Sequence, residues 1–293
     1  MTPPFDDRQV RRAFGRAAAS YREHSVLQRE VEDRLLERLD YVMTPPKRVL
    51  DVGAGPGRAA LALRRRWKKA QTIALDAALP MLREARRGAG WFRRPIWVCA
   101  DARALPLADA SVDVLFSSLC IQWIDDLGAL FAEFRRVLSP GGFLAISTFG
   151  PDTLHELRVA WATVDHAPHV GGFADLVRLG DALLHAGFRD PVLDAEHFTL
   201  TYPDTSALMR DLKAIGATNA DAARARGLTG RERLRHAAEA YEPFRRNGVL
   251  PATYEVLYAH AWGPEPGQPR RGRGGEIATF PIERLRVRRK DAP

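Results

Sequence analysis

The chain has 293 residues, a hydrophobic fraction of 46%, a charged fraction of 27% and a formal net charge of +8. These proportions exclude a collagen, a disulfide scaffold and a mostly disordered chain; at about 150 residues per domain, the length fits one capped α/β domain or two domains. No apolar window of about 18 residues could span a membrane, and the opening MTPPFDDRQVRRAFGRAAASY lacks the apolar core of a secretory signal, so a cytoplasmic protein is expected.

Residues 8–40 read as helical. Val10, Phe14, Ala17, Ala18 and Tyr21 recur at helical spacing, Val31, Leu35, Leu36 and Leu39 resume the pattern after a break near His24, and Thr44-Pro45-Pro46 stops it. Short β-rich runs follow at 48–52, 72–75, 96–100, 112–116 and 143–148, with helix-like stretches at 57–67, 78–87 and 125–138 between most of them. That alternation is the signature of a parallel sheet with right-handed crossovers. Pro140-Gly141-Gly142 reads as a sharp turn feeding the fifth strand. Beyond Gly150 the rhythm predicts helices over 152–163, 173–186, 204–215 and 230–246 and strands over 192–202 and 252–262. Residues 263–275, rich in Pro, Gly and Arg, read as a flexible linker, and the short FPIER run at 280–284 has no predicted place.

The two cysteines, Cys99 and Cys120, lie in no CxxC and near no CxxH, so no zinc site is expected. Cys99, in the apolar run IWVCAD, reads as a buried core residue. Charge is uneven: residues 263–293 hold eight Lys/Arg against four acids, whereas the preceding 262 hold 36 against 32. The basic tail is as compatible with a solvated end as with an acidic or nucleic-acid partner.

The most informative segment is Asp51-Val-Gly-Ala-Gly-Pro-Gly57, an apolar strand running into three alternate glycines and then a helix. Glycine tolerates positive φ and lets backbone approach a ligand, which would sit at the carboxyl ends of the strands against a helix N-terminus. The second strand ends in Asp76, where a carboxylate can accept from ribose hydroxyls, and the third in Asp101-Ala102, where one can take an adenine amino group. Gly55-x-Gly57-x-x-Ala60 formally matches a dinucleotide fingerprint, but the acidic Asp51 suits a cationic ligand and would repel a pyrophosphate.

Gly53-x-Gly55-x-Gly57 after Asp51 resembles the loop of class I S-adenosylmethionine methyltransferases, and the resemblance covers about residues 47–150. It implies an α/β, Rossmann-like, mostly parallel seven-stranded sheet with helices on both faces, plus an N-terminal helical lid and helical cap insertions. It implies S-adenosylmethionine as co-substrate, held by Asp51, Gly53, Gly55, Gly57, Asp76, Asp101, Ala102 and Ser118, with no metal. In similar enzymes the N-terminal helix folds over the cofactor, which makes Tyr21 a candidate for positioning substrate; His24 and Gln28 read as surface polar residues.

Ser117-Ser-Leu-Cys120 stands where amine methyltransferases resemble one another in [DN]PP[YF], and Cys120 lacks the preceding Pro common at pyrimidine-C5 nucleophiles. An oxygen acceptor remains, and a carboxylate, already ionised at pH 7, needs no general base. The whole chain resembles the malonyl-acyl-carrier-protein O-methyltransferases of biotin synthesis, the BioC family. The matches are Val10-Arg-Arg-Ala-Phe-Gly-Arg-Ala-Ala-Ala-Ser-Tyr21, His24–Arg29, Leu119-Cys-Ile-Gln-Trp123, Phe149–Arg158, Asp211–Asn219, Pro251–Val256 and Tyr258. Ala54 departs from the Cys of many members. The resemblance implies methylation of the free carboxylate of malonyl-acyl carrier protein, for pimeloyl formation.

On this reading residues 1–45 form the N-terminal lid, 46–150 the cofactor-binding core, 151–262 the rest of the sheet with a cap for substrate and carrier protein, and 263–293 a flexible basic tail. Arg158 is a candidate for substrate positioning; Trp123 and Phe149 read as core. Acyl carrier proteins are acidic, so Arg210 and Lys213, three apart on one predicted helix, are expected to form a docking patch, with Arg224, Arg226, Arg231 and Arg233 nearby. No membrane partner is expected, and nucleic acid is disfavoured. The alternatives are an RNA methyltransferase, a cofactor-binding assembly factor or hydroxylase-like protein, and a small-molecule carboxyl methyltransferase.

Overall fold

Five apolar runs become the parallel part of one sheet. In the computed structural model, which describes residues 5–90, 94–225, 227, 229–265, 270–272 and 275–277, these are β1 (Arg48–Val52), β2 (Gln71–Asp76), β3 (Ile96–Cys99), β4 (Val112–Ser118) and β5 (Leu138–Phe149). Strands β6 (Arg189–Tyr202) and β7 (Leu250–Trp262), the latter antiparallel to both β5 and β6, complete a seven-stranded sheet of order β3-β2-β1-β4-β5-β7-β6. The direction of strand succession reverses between β1 and β4, which opens a crevice at their carboxyl ends. The expected seven-stranded α/β architecture is present.

Because side chains alternate along a strand, each strand supplies both faces of the sheet. Val49, Phe116, Ala145 and Tyr258 face one core with Val31, Leu35 and Leu39 of the N-terminal segment, while Leu50, Leu115, Leu144 and Ala259 face another with Phe131 and Phe134. The first core is also packed by α4 (Arg58–Arg66), α7 (His155–Ala162), α9 (Thr205–Ala214) and α10 (Arg231–Tyr241); the second by α6 (Leu127–Val137) and α8 (Leu176–His185). Helix α5 (Leu79–Gly88) follows β2. Asp126, Asp175 and Asp204 cap α6, α8 and α9 through their side chains. No helix among the described residues is long and apolar enough to cross a membrane.

The N-terminal stretch is three helices, α1 (Asp7–Ala17), α2 (Tyr21–His24) and α3 (Val26–Glu37), with a 3-10 turn over Arg38–Tyr41. Besides the expected break near His24 there is one at Ala18–Ser20, where the Ser20 hydroxyl donates to the carbonyls of Ala17 and Ala214. Helices α1 and α2 lie over the crevice; α3 packs into the core through Val31 and Leu35, both fully buried, and turns Gln28 and Glu32 towards the glycine loop.

Several local expectations change. Cys99 is exposed rather than buried, because β3 is an edge strand. Pro140–Gly142 is not a turn ahead of β5 but lies within it: the strand starts at Leu138, with Gly141 at φ 66° and the register against β4 shifted there. The helix expected over 230–246 ends at Tyr241, and Pro243 lies in a 3-10 turn over Glu242–Phe244. Within the expected linker, β8 (Arg270–Gly272) pairs with β9 (Gly275–Ile277). Residues 266–269, 273–274 and 278–293, including 280–284, lie outside the described residues.

Phe131 is fully buried between Phe134 and Phe188, with ring centroids 6.1 and 6.3 Å away. Phe131→Ala is expected to cost about 3–5 kcal/mol of stability, read as a fall in the urea midpoint at unchanged slope.

Candidate active site

The loop after β1 is fixed by hydrogen bonds to the end of β2. The amides of Gly53 and Ala54 both donate to the Leu75 carbonyl, at 2.8 and 2.9 Å, and the Gly55 amide donates to Asp76 Oδ2 at 2.8 Å. Gly53, Gly55 and Gly57 all have positive φ, at 76°, 50° and 79°. Their roles differ. A Cβ on Gly53 would lie 2.5 Å from Cβ and Sγ of Cys120, and one on Gly57 would meet Ala85 and Trp97 at 2.9 Å, so both positions are closed by packing. A Cβ on Gly55 would meet nothing within 4 Å. Its space is open cleft, the cradle a ligand would fill.

Asp76 also accepts the Ala78 amide through Oδ1 at 2.7 Å. Burial pushes its carboxyl up while these amides oppose the shift. Asp101 is bound by Arg103, which donates from Nε to Oδ1 at 2.9 Å and from Nη2 to Oδ2 at 2.7 Å. These bonds hold the Asp101 carboxyl below the usual range. The same guanidinium reaches Asp7 of α1 at 2.5 Å, tying the covering helix to the core. Asp101, Ala102 and Asp76 line one cavity with Gly53, Gly55 and Ser118, roofed by Val10, Arg11, Phe14 and Tyr21.

A second cavity lies on the other side of the glycine loop. Asp51 is 2% exposed, and its Oδ2 has no hydrogen-bond partner. Burial, then the neighbouring Glu32 and Asp76, push its carboxyl well up. Glu32 of α3 lines the same space, and burial raises it to about 7 against the pull of Arg58. Gln28, expected on the surface, lines it too. The same space is lined by Arg22, Arg29, Arg58 and Arg65, so it offers guanidiniums as well as carboxylates.

The third cavity, about 360 Å³, is mainly apolar. Trp123 and Phe149, read from sequence as core, are part of its wall, with Trp161, Phe173, Met209 and Tyr254. His169 stacks on Trp161 at 3.8 Å between centroids and bonds Asp165 through Nε2 at 2.8 Å. Tyr21 lines all three cavities, and burial pushes its phenol up, so it stays a neutral donor at pH 7. Burial raises the Cys120 thiol to about 12, which disables it as a nucleophile.

Arg158 is absent from the residues lining the cavity. Its guanidinium donates to the carbonyls of Pro151 at 2.9 Å, Thr153 at 3.2 Å and Gly171 at 3.5 Å, binding two stretches of the wall together. Arg210 and Lys213 are exposed on α9, and Lys213 lies at the cavity rim. Arg224 pairs with Asp6 at 3.0 Å and Arg233 with Asp165 at 3.6 Å, Arg231 is exposed, and Arg226 lies outside the described residues. His24, expected as a surface polar residue, bonds Asp211 Oδ1 at 2.9 Å and links α2 to α9.

Sequence reasoning missed Glu32, Trp161, His169 and Tyr254. Gln28 and Glu32, four apart beside the apolar Val31–Leu35 stripe, were a usable sign of a helix face turned to a polar cavity. The other three share a wall only through tertiary packing.

A family model described as a methyltransferase domain matches residues 50–146. A malonyl-[acyl-carrier protein] O-methyltransferase of Xylella fastidiosa is 53% identical over 294 residues, covering 100% of both chains. One from Halorhodospira halophila is 50% identical, covering 97% of each. Among solved structures, the YcgJ protein of Bacillus subtilis superposes with a TM-score of 0.56 at 18% identity, covering 79% of this chain and 98% of its own, a likeness of fold.

Asn tolerates positive φ better than other non-glycine residues. Gly55→Asn is therefore expected to keep the fold within about 1 kcal/mol but abolish cofactor binding, whereas Gly53→Asn, driven into Cys120, should lower the melting temperature sharply. Calorimetric titration beside thermal melts separates the two outcomes.

Proposed function

The chain belongs to the malonyl-[acyl-carrier protein] O-methyltransferase family, and from that premise we propose how its three cavities divide the work of carboxyl methylation. The enzyme transfers a methyl group from S-adenosylmethionine to the free carboxylate of malonyl-acyl carrier protein. The methyl ester then enters pimeloyl formation for biotin, in the cytoplasm. The observation that carries this division is the position of Tyr21, on the wall of all three cavities.

S-adenosylmethionine supplies an electrophilic methyl on a sulfonium, so an O–CH3 bond to the malonyl carboxylate forms as the S–CH3 bond breaks. Asp76 and Asp101 suit ribose and adenine, with Ala102 beside them. Gly55 opens the cradle, Gly53 and Gly57 hold the loop in shape, and Ser118 and Asp51 face the methionine end. The acceptor carboxylate is ionised at pH 7 and needs no base, which agrees with a thiol held protonated at Cys120 and no requirement for a catalytic dyad. Tyr21, kept neutral by burial, donates to that carboxylate and orients it. The apolar wall of Trp123, Phe149, Trp161 and Phe173 excludes water. Arg158 shapes this wall from behind, through the carbonyls it binds.

Lys213 lines the acceptor cavity, and the exposed Arg210 precedes it by three residues on α9, a basic approach for an acidic carrier protein. Replacing both with Ala is expected to raise KM for malonyl-acyl carrier protein several-fold at low salt, with kcat and cofactor affinity unchanged; unaltered kinetics would discard the patch. The reaction itself is tested with methyl-labelled S-adenosylmethionine against malonyl-acyl carrier protein, malonyl-CoA, unacylated carrier and bulk tRNA. Base-labile label on the malonyl carrier is expected; label on tRNA alone would overturn the reading.

A further inference from the structure

Methyl transfer brings donor and acceptor together, so residues that line both the cavity over Asp76 and Asp101 and the apolar acceptor cavity mark where the reacting groups meet. Among the described residues Phe14, Tyr21, Leu119 and Trp123 do so. None of them is charged, and only the Tyr21 and Trp123 side chains carry a hydrogen to donate. The Trp123 indole Nε1 is buried and has no hydrogen-bond partner. An indole nitrogen donates and does not accept, so what it lacks is an acceptor. A buried donor left unpaired is a cost to the fold that an incoming oxygen removes.

Other polar groups of the acceptor cavity are placed differently. Gln28, His169, Lys213 and Thr218 line that cavity but not the one over Asp76 and Asp101. Gln122 Oε1 is also buried and unpaired, but it is an acceptor, and its Nε2 is taken by the Leu119 carbonyl at 2.7 Å. The indole is held in place from two sides. Trp123 ends the 3-10 turn Ile121–Trp123 after β4, and the rings of Phe5 and Phe14 meet it edge to face at 5.7 and 5.5 Å between centroids. The Phe5 amide in turn donates to Asp125 Oδ2 at 2.8 Å, two residues beyond the indole.

Resting on the carboxyl-methylation reading above, we propose that Trp123 is a binding residue for the acceptor carboxylate, its indole N–H donating to the carboxylate beside the Tyr21 hydroxyl. Neutral donors suit this acceptor. A cation at the junction would form an ion pair whose strength is lost as the carboxylate gives up its charge. The two hydrogen bonds orient the oxygen and leave its charge to the approaching sulfonium. Neither donor loses its proton: the O–CH3 bond forms, the S–CH3 pair stays on sulfur, and the neutral ester accepts both bonds more weakly than the carboxylate did.

The test is calorimetric binding of two carriers to the full chain saturated with S-adenosylhomocysteine, which has no methyl group to give. The carriers are malonyl-acyl carrier protein and acetyl-acyl carrier protein, which lacks the carboxylate. Trp123→Phe keeps an aromatic ring and removes the N–H. It is expected to weaken the malonyl carrier by about tenfold or more, the loss of one hydrogen bond to a charged group, and to leave the acetyl carrier within about twofold. Equal weakening of both carriers would mean that Trp123 only packs and would overturn the assignment, as would an unchanged malonyl affinity. The wild type, isotope-labelled at tryptophan, gives the same test without a substitution: one indole N–H proton resonance should move downfield with the malonyl carrier and stay in place with the acetyl carrier. Indole resonances that respond alike to the two carriers would also overturn it. If the wild type binds the malonyl carrier no better than the acetyl carrier, the carboxylate-acceptor reading itself fails, and this proposal with it.

Discussion

Everything at the active site hangs on how the chain turns after β1. Two successive amides, of Gly53 and Ala54, share the Leu75 carbonyl, and the next, of Gly55, is taken by the Asp76 side chain. This ties the glycine loop to the end of β2, so that its three left-handed residues hold one shape. Packing then presses on it from both sides: Cys120 under Gly53, and Ala85 with Trp97 against Gly57. What is left open is the space over Gly55. The cleft is the residue of a tightly packed turn, which is why it is preformed in the protein.

Around that turn the molecule divides its chemistry by polarity. The side towards α3 is charged, setting Asp51 and Glu32, both pushed towards protonation by burial, among Arg22, Arg29, Arg58 and Arg65. The side towards α7 and α9 is apolar, lined by Trp161, Leu157 and Leu212. A sulfonium donor and a carboxylate acceptor carry opposite charges that vanish together on methyl transfer. Low dielectric around them favours the loss of charge, and the apolar wall supplies it. The charged recess differs: Asp51 keeps a buried oxygen without a partner there, a cost carried by the fold.

The covering segments are held by ion pairs and a hydrogen bond at their ends. Arg103 bridges Asp101 to Asp7 of α1, Arg224 reaches Asp6 from the cap, and His24 joins α2 to Asp211 on α9. The contacts to Asp7, Asp6 and Asp211 join stretches 96, 218 and 187 residues apart in sequence, exposed or half-buried pairs that set register more than they add stability. Helices α1 and α2 and the segments after β5 thus meet over the crevice. Tyr21 stands where they meet.

The sequence by itself determined the alternation of strands and helices, the glycine loop, and the strand-end acids Asp76 and Asp101, because these are written in local periodicity and in conformations that few residues can adopt. It also carried the family, through matched segments in both flanks. It did not determine which glycines face ligand and which face packing, that Cys99 lies on an edge strand, or that Trp123 and Phe149 wall a cavity instead of filling a core. Those depend on what the rest of the chain brings alongside. The apolar wall joins β4–β5 loop residues to Trp161, His169 and Tyr254, and the recess behind the glycine loop joins a strand end to a helix some twenty residues upstream. An apolar residue reads the same in sequence whether it meets another side chain or an empty space, and only the tertiary structure decides which.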